Sequence, residues 1–211
     1  MKKYISVMFL VVVLMLMTGV GQAAPIQGAL WEPADAYAKN PASGPPEGPF
    51  AGIYATFTVD SLDFYSMEAG AVTYDNWLSG GSGNPNGLVW VNDDGGIKDD
   101  LFYTSPEKGT YFQFSGTAFF PANTLITHDD GFWLKLGDTV YGEFSGPVYV
   151  KNDYLGNPED IYEFTLKYGA WNGFPEVLQA HGVTTVPEPT SMLLLGLGLV
   201  GLAGMSRRFK R

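Results

Sequence analysis

Cysteine is absent from all 211 residues. Its absence excludes disulfides, thiol nucleophiles, cysteine-based zinc sites and the cysteine-linked lipid of a lipoprotein. Stability must come from a packed core, with or without the help of a bound metal. Arginine is confined to the extreme C-terminus, at Arg207, Arg208 and Arg211. Six of the 12 basic residues and one of the 22 acidic residues belong to the two ends, so the middle of the chain, 24–185, carries 6 − 21 = −15. A surface of that sign repels phosphate, which excludes nucleic acid and anionic lipid as partners of the middle segment and favours cations. Solubility in an extracellular setting accounts for such a charge equally well. Sustained helical periodicity is also missing from the middle, as are Gly-x-Ser-x-Gly and His-Glu-x-x-His motifs. No set of residues supplies a nucleophile, a base and an oxyanion site together, so the expectation is a protein that is not an enzyme.

The two ends have clear signatures. Lys2 and Lys3 precede an apolar run from Tyr4 to Val20, and Gly21-Gln22-Ala23 offers small residues where a signal peptidase reads. Residues 1–23 are expected to be a signal peptide cut after Ala23, because a cut after Ala24 would leave Pro25 at the new N-terminus. An uncleaved anchor is the alternative. At the other end stand Val186, Pro187, Glu188 and Pro189, then an apolar stretch from Met192 to Met205, then the basic tail Arg207, Arg208, Lys210 and Arg211. The stretch is shorter than the roughly 20 residues of a stable span. Its glycines are tolerated in lipid, and its basic tail would be held on the cytoplasmic side.

Residues 186–211, with motif, short apolar helix and basic tail in that order, resemble the PEP-CTERM sorting signal. The resemblance implies an exosortase-type enzyme as partner, a membrane-anchored intermediate held by the C-terminal helix, and final placement in the cell envelope or extracellular matrix. A plain C-terminal tail anchor is the alternative.

The chain is rich in Gly (27), Pro (14) and aromatics (15%), most of them in the middle, which suits short strands joined by turns. Tyr162, Phe164, Leu166 and Tyr168 alternate with Glu163, Thr165 and Lys167, the pattern of a half-buried strand. Tyr111 to Phe119 alternates likewise, and Ile53 to Val59 is rich in β-branched and aromatic residues. Phe132–Leu136 and Val140–Phe144 flank Gly137-Asp138, a hairpin turn. Val148-Tyr149-Val150 is expected to be a further strand. The fold expected is all-β: an antiparallel, jelly-roll-like β-sandwich over 51–185, flanked by a signal helix and a short hydrophobic helix. Residues 24–50, with Pro41, Pro45, Pro46 and Pro49, are expected to be an irregular arm or a loop wrapped over the sandwich. Leu178 to Thr185 is expected to lead from the domain to the sorting signal.

Chemistry in the middle rests on acids. His128-Asp129-Asp130-Gly131 places two adjacent carboxylates between two strands. They could turn oxygens towards one calcium ion, which takes six to eight oxygen ligands, or form a solvated turn. Asn92-Asp93-Asp94-Gly95-Gly96 lacks the spacing and terminal Glu of an EF-hand and is expected to be a solvated loop.

Phe114 to Phe120, His128 to Leu134, and Tyr162 to Gly169 followed by Asn172-Gly173 resemble the β-sandwich family named after anthrax protective antigen (PA-fourteen) and its fibro-slime relatives. In lectins of that family two successive aspartates joined by a cis peptide bind calcium, and the calcium contacts sugar hydroxyls. The resemblance implies Asp129, Asp130 and Asn172 as calcium ligands and extracellular polysaccharide as the partner. Trp171 would stack on a sugar, or serve only as a core or rim aromatic. Bulky Phe132-Trp133 departs from the short residue many members carry after the glycine. A ligand-free structural protein of a biofilm matrix, or a glycan-active enzyme, are the alternatives.

Overall fold

The computed structural model describes residues 23–32, 40–43, 53–66, 72–80, 83–100, 109–144, 146, 149–171 and 175–186. It divides into two units, a body of Pro25–Thr185 and a second unit made of Met1–Ala24 with Val186–Arg211. Of the second unit only residues 23, 24 and 186 are described. Within it the Ala24 amide donates to the Val186 carbonyl at 3.2 Å. The signal helix, the apolar run Met192–Met205 and the basic tail lie outside the described residues. Among the described residues no helix is long and apolar enough to cross a membrane.

Among its described residues the body holds twelve strands: β1 (Ile26–Glu32), β2 (Ile53–Val59), β3 (Asp63–Ser66), β4 (Val89–Asp93), β5 (Thr110–Phe120), β6 (Leu125–His128), β7 (Gly131–Leu136), β8 (Thr139–Phe144), β9 (Lys151–Tyr154), β10 (Asp160–Ala170), β11 (Glu176–His181) and β12 (Thr184–Thr185). The large sheet runs β4-β2-β1-β5-β10-β7-β8, with β12 also paired to β5; the small sheet runs β3-β11-β6-β9. Among the described residues the strands pair antiparallel throughout. The all-β sandwich is therefore the fold.

Period-two alternation explains the core. On β10, Phe164, Leu166, Tyr168 and Ala170 are buried while Glu163 is exposed. On β5, Phe112, Phe114, Ala118 and Phe120 are buried. From the small sheet Phe64 stacks on Phe114 with ring centroids 5.2 Å apart, joining the two layers. A short helix, α1 (Tyr74–Ser79), contributes Trp77, which is 1% exposed and packs on Phe64, Phe112 and Tyr168. Thr73 caps its N-terminus by accepting from the Asn76 amide, and Gly80 ends it in the left-handed conformation at φ +74°.

Three boundaries differ from the sequence expectation. The proline-rich arm does not begin at 24, because β1 lies inside the large sheet between β2 and β5, with Ile26 and Leu30 in the core. Leu178 to Thr185 is not a connector: β11 is an interior strand of the small sheet and Leu178 is fully buried. Tyr149 and Val150 are bends rather than strand, and the strand follows at Lys151–Tyr154. In each case a short strand carries too few residues for its alternation to stand out, and pairing partners distant in sequence decide the outcome.

Candidate functional site

The two-residue link from β6 to β7 passes from the small sheet to the large one, and that link is Asp129-Asp130. It is a crossing point rather than a surface turn. Asp129 and Asp130 are 1% and 0% exposed, so the solvated-turn alternative does not hold. Asp130 adopts φ +65°, uncommon for a side chain other than glycine. Gly131 is required where it stands: a Cβ there would lie 2.9 Å from the Pro41 ring and 3.0 Å from the Phe144 carbonyl oxygen. Pro41 opens a short 3-10 segment, Pro41–Ser43, so part of the proline-rich stretch packs on the site.

Neighbouring strands fix the link. The Asp129 amide donates to the Val177 carbonyl on β11 at 2.9 Å. The Trp171 amide, just past β10, donates to Asp130 Oδ2 at 2.7 Å. His128 is fully buried, with Nδ1 2.7 Å from the Asp130 carbonyl oxygen and Nε2 3.0 Å from Asp153 Oδ2. Lys151 bonds the same carboxylate at 2.9 and 3.0 Å. Burial pulls the His128 pKa below its usual value, against the opposing effects of Asp153 and the Asp130 carbonyl. His128 thus serves as a buried brace between link and β9, and nothing places it as a catalytic base.

The electrostatics of the pair are unusual. Burial, and then the charge of Asp130, push the Asp129 carboxyl up to about 7. Its carboxylate takes a hydrogen bond from the Asp130 backbone, while Oδ1 has no hydrogen-bond partner among the described residues. A third acid is close enough to be felt. Glu176, at the start of β11, is 0% exposed, and burial followed by the charges of Asp130 and Asp129 holds its carboxyl well above the usual range. Tyr168 donates to Glu176 Oε2 at 2.7 Å, and Oε1 has no partner among the described residues. Sequence reasoning passed over Glu176; its only signal is an acid placed among Pro175, Val177 and Leu178.

A buried anionic pair of this kind must take up a proton or a cation. The orphaned Asp129 oxygen and the raised carboxyl fit a hard cation with oxygen ligands. Among the described residues no three metal-ligating side chains are gathered, so further ligands would have to come from elsewhere. Trp171 is half-buried and its backbone reaches Asp130, which brings the start of the β10–β11 loop to the pair. Asn172, the third expected ligand, lies outside the described residues. Val186 is described, whereas Pro187, Glu188, Pro189, Arg207, Arg208, Lys210 and Arg211 are not. The second acidic stretch is a turn: Gly95 and Gly96 have φ +75° and +78°, and Asp93 Oδ1 accepts from the Lys98 amide at 3.1 Å.

Residues 185–208 match the family described as the PEP-CTERM protein-sorting motif. No curated protein matches the chain. Two solved structures are similar to it. One is the crystal structure of the PA14 domain of MpAFP antifreeze protein, 13% identical with a TM-score of 0.45, covering 77% of this chain and 86% of that one. The other is the PA14 sugar-binding domain from RTX adhesin, 13% identical with a TM-score of 0.44, covering 79% of this chain and 96% of that one. The sorting motif defines the class: an exported protein, processed by an exosortase-type enzyme through a membrane-anchored intermediate at the cell envelope.

Proposed function

We propose that this exported protein is a non-enzymatic, calcium-assisted binder of polysaccharide at the cell surface or in a biofilm matrix. One observation carries the reading: the buried Asp129 carboxylate, with an unpartnered oxygen, set beside Asp130 at the crossing between the sheets. Asp129, Asp130 and Asn172 would hold the ion, and Trp171 would present its ring to a sugar. Calcium, when bound, supplies a positive centre to which vicinal sugar hydroxyls can donate their lone pairs. The chain's own part is to orient and desolvate. β11 fixes the Asp129 backbone, Trp171 fixes one oxygen of Asp130, and Gly131 allows the tight entry into β7. Removal of the signal peptide after Ala23 and cutting near Val186-Pro187-Glu188-Pro189 would deliver the body to the matrix.

The test is affinity electrophoresis of the chain, in mild detergent, through gels holding polysaccharide washed from the cells that produce it. Retardation should be greater in calcium than in chelator, and Asp130→Asn should remove the difference. Identical migration with and without calcium would refute the reading.

A further inference from the structure

The outer face of the small sheet carries a second set of groups suited to sugar. Cross-strand register aligns Asp63, Gln179, Thr127 and Asn152 in one row across all four strands. The row is bonded internally: Gln179 Nε2 donates to Asp63 Oδ1 at 2.5 Å, and Thr127 Oγ1 donates to Asn152 Oδ1 at 2.6 Å. Since Thr127 has one hydroxyl proton, His181 Nε2, 2.8 Å away, must donate to it. Each of these side chains uses one polar atom within the row. The Asn152 amide nitrogen, Gln179 Oε1 and His181 Nδ1 are not engaged in it. Planar donors and acceptors are thereby held in fixed orientations around Thr127, itself 8% exposed.

Two exposed phenols stand at opposite corners of this face. Tyr154 is 72% exposed and lies in the row of Leu125 and His181; Tyr65 is 50% exposed and lies opposite Val177. Three interstrand steps and four residues along the strands separate them, a diagonal of about 20 Å. At the Asp63–Gln179–His181 edge the face deepens into a cavity of about 240 Å³. The opposite side of the same strands, with Phe64, Leu178 and Ile126, is closed in the core; on this side Asp63, Asn152 and the two tyrosines reach solvent, while Val177 and Thr127 are 0% and 8% exposed.

We infer that this face is a calcium-independent docking platform for an extended, neutral, β-linked polysaccharide. The polar row would meet the hydroxyl edges of a ribbon-like glycan, and Tyr65 and Tyr154 would stack on sugar rings at either end. Charge decides between occupants. A segment of net −15 repels both a polyanionic glycan and a second copy of itself, while a neutral glycan pays no such penalty. The inference rests on the polysaccharide-binding reading above but not on the calcium site, which uses different residues.

The test uses the full chain in mild detergent with EDTA present, on amorphous cellulose and on chitin. Retention of the wild type on either polymer is expected. Tyr154→Ala and Tyr65→Ala should each weaken it about fivefold or more, as for anchoring aromatics, with Tm unchanged. Absence of retention on both polymers would overturn the inference, as would retention that neither tyrosine variant alters. A dimer that Tyr154→Ala dissolves, without polysaccharide retention, would assign the face to a second copy and equally overturn it. Failure of the calcium experiment alone would leave this platform standing.

Discussion

At the residue scale the account turns on Asp129. Its pKa is raised in the folded protein, to about 7 from the ordinary 3.8. A carboxyl shifted upwards favours folding while it stays protonated. That contribution is complete below the unfolded value and is lost as pH rises through the folded one. In chelator, Tm should therefore fall as pH rises from 4 to 8; with saturating calcium the fall should shrink, because the cation replaces the proton. A Tm that rises over that interval in chelator would contradict the assignment. Asp129→Asn removes the charge while keeping the shape. In chelator at pH 8 it should stabilise the protein by on the order of 1 kcal/mol, measured by urea denaturation, and at the same time abolish the calcium effect. Glu176→Gln keeps an acceptor for Tyr168 and should behave as a stabilising change that leaves calcium affinity within a few-fold.

At the element scale, α1 and the β6–β7 link are the parts most sensitive to substitution. Trp77 fills the space between the sheets, so Trp77→Ala should cost about 3–5 kcal/mol in chemical denaturation. Gly131→Ala forces a Cβ against Pro41 and the Phe144 carbonyl and should cost about 1–3 kcal/mol while weakening calcium binding. A neutral Gly131→Ala would show that the link is looser than described. The long strands were legible in the sequence: β5 and β10 each span 11 residues, long enough for alternation to be unmistakable, and Gly137-Asp138 marked the β7–β8 hairpin. β1 and β11 were not legible. Ile-Gln-Gly-Ala-Leu-Trp-Glu looks like part of an arm until β2 and β5 are placed on either side of it. The same holds at the site. The aspartate pair was visible as a motif, but its burial, the His128–Asp153 brace and Glu176 depend on which strands cross there.

At the scale of the whole molecule, charge and targeting combine. A body without arginine and with a large acidic excess should be destabilised by self-repulsion at low ionic strength. Raising NaCl to about 0.5 M in chelator should lift Tm by a few degrees through screening, and magnesium at the same ionic strength should do no more. Calcium should act beyond this general effect, and only through Asp129 and Asp130. The sorting motif places such a protein outside the cytoplasm.

The most direct measurement is a calcium titration by calorimetry, with Tm recorded in parallel, on the wild type, Asp129→Asn and Asp130→Asn. The account predicts one binding event with a higher Tm in the wild type and neither in the two variants. No binding heat and no Tm shift in the wild type, or an equal response in both variants, would contradict the calcium site and leave the sandwich as a matrix protein without that ion.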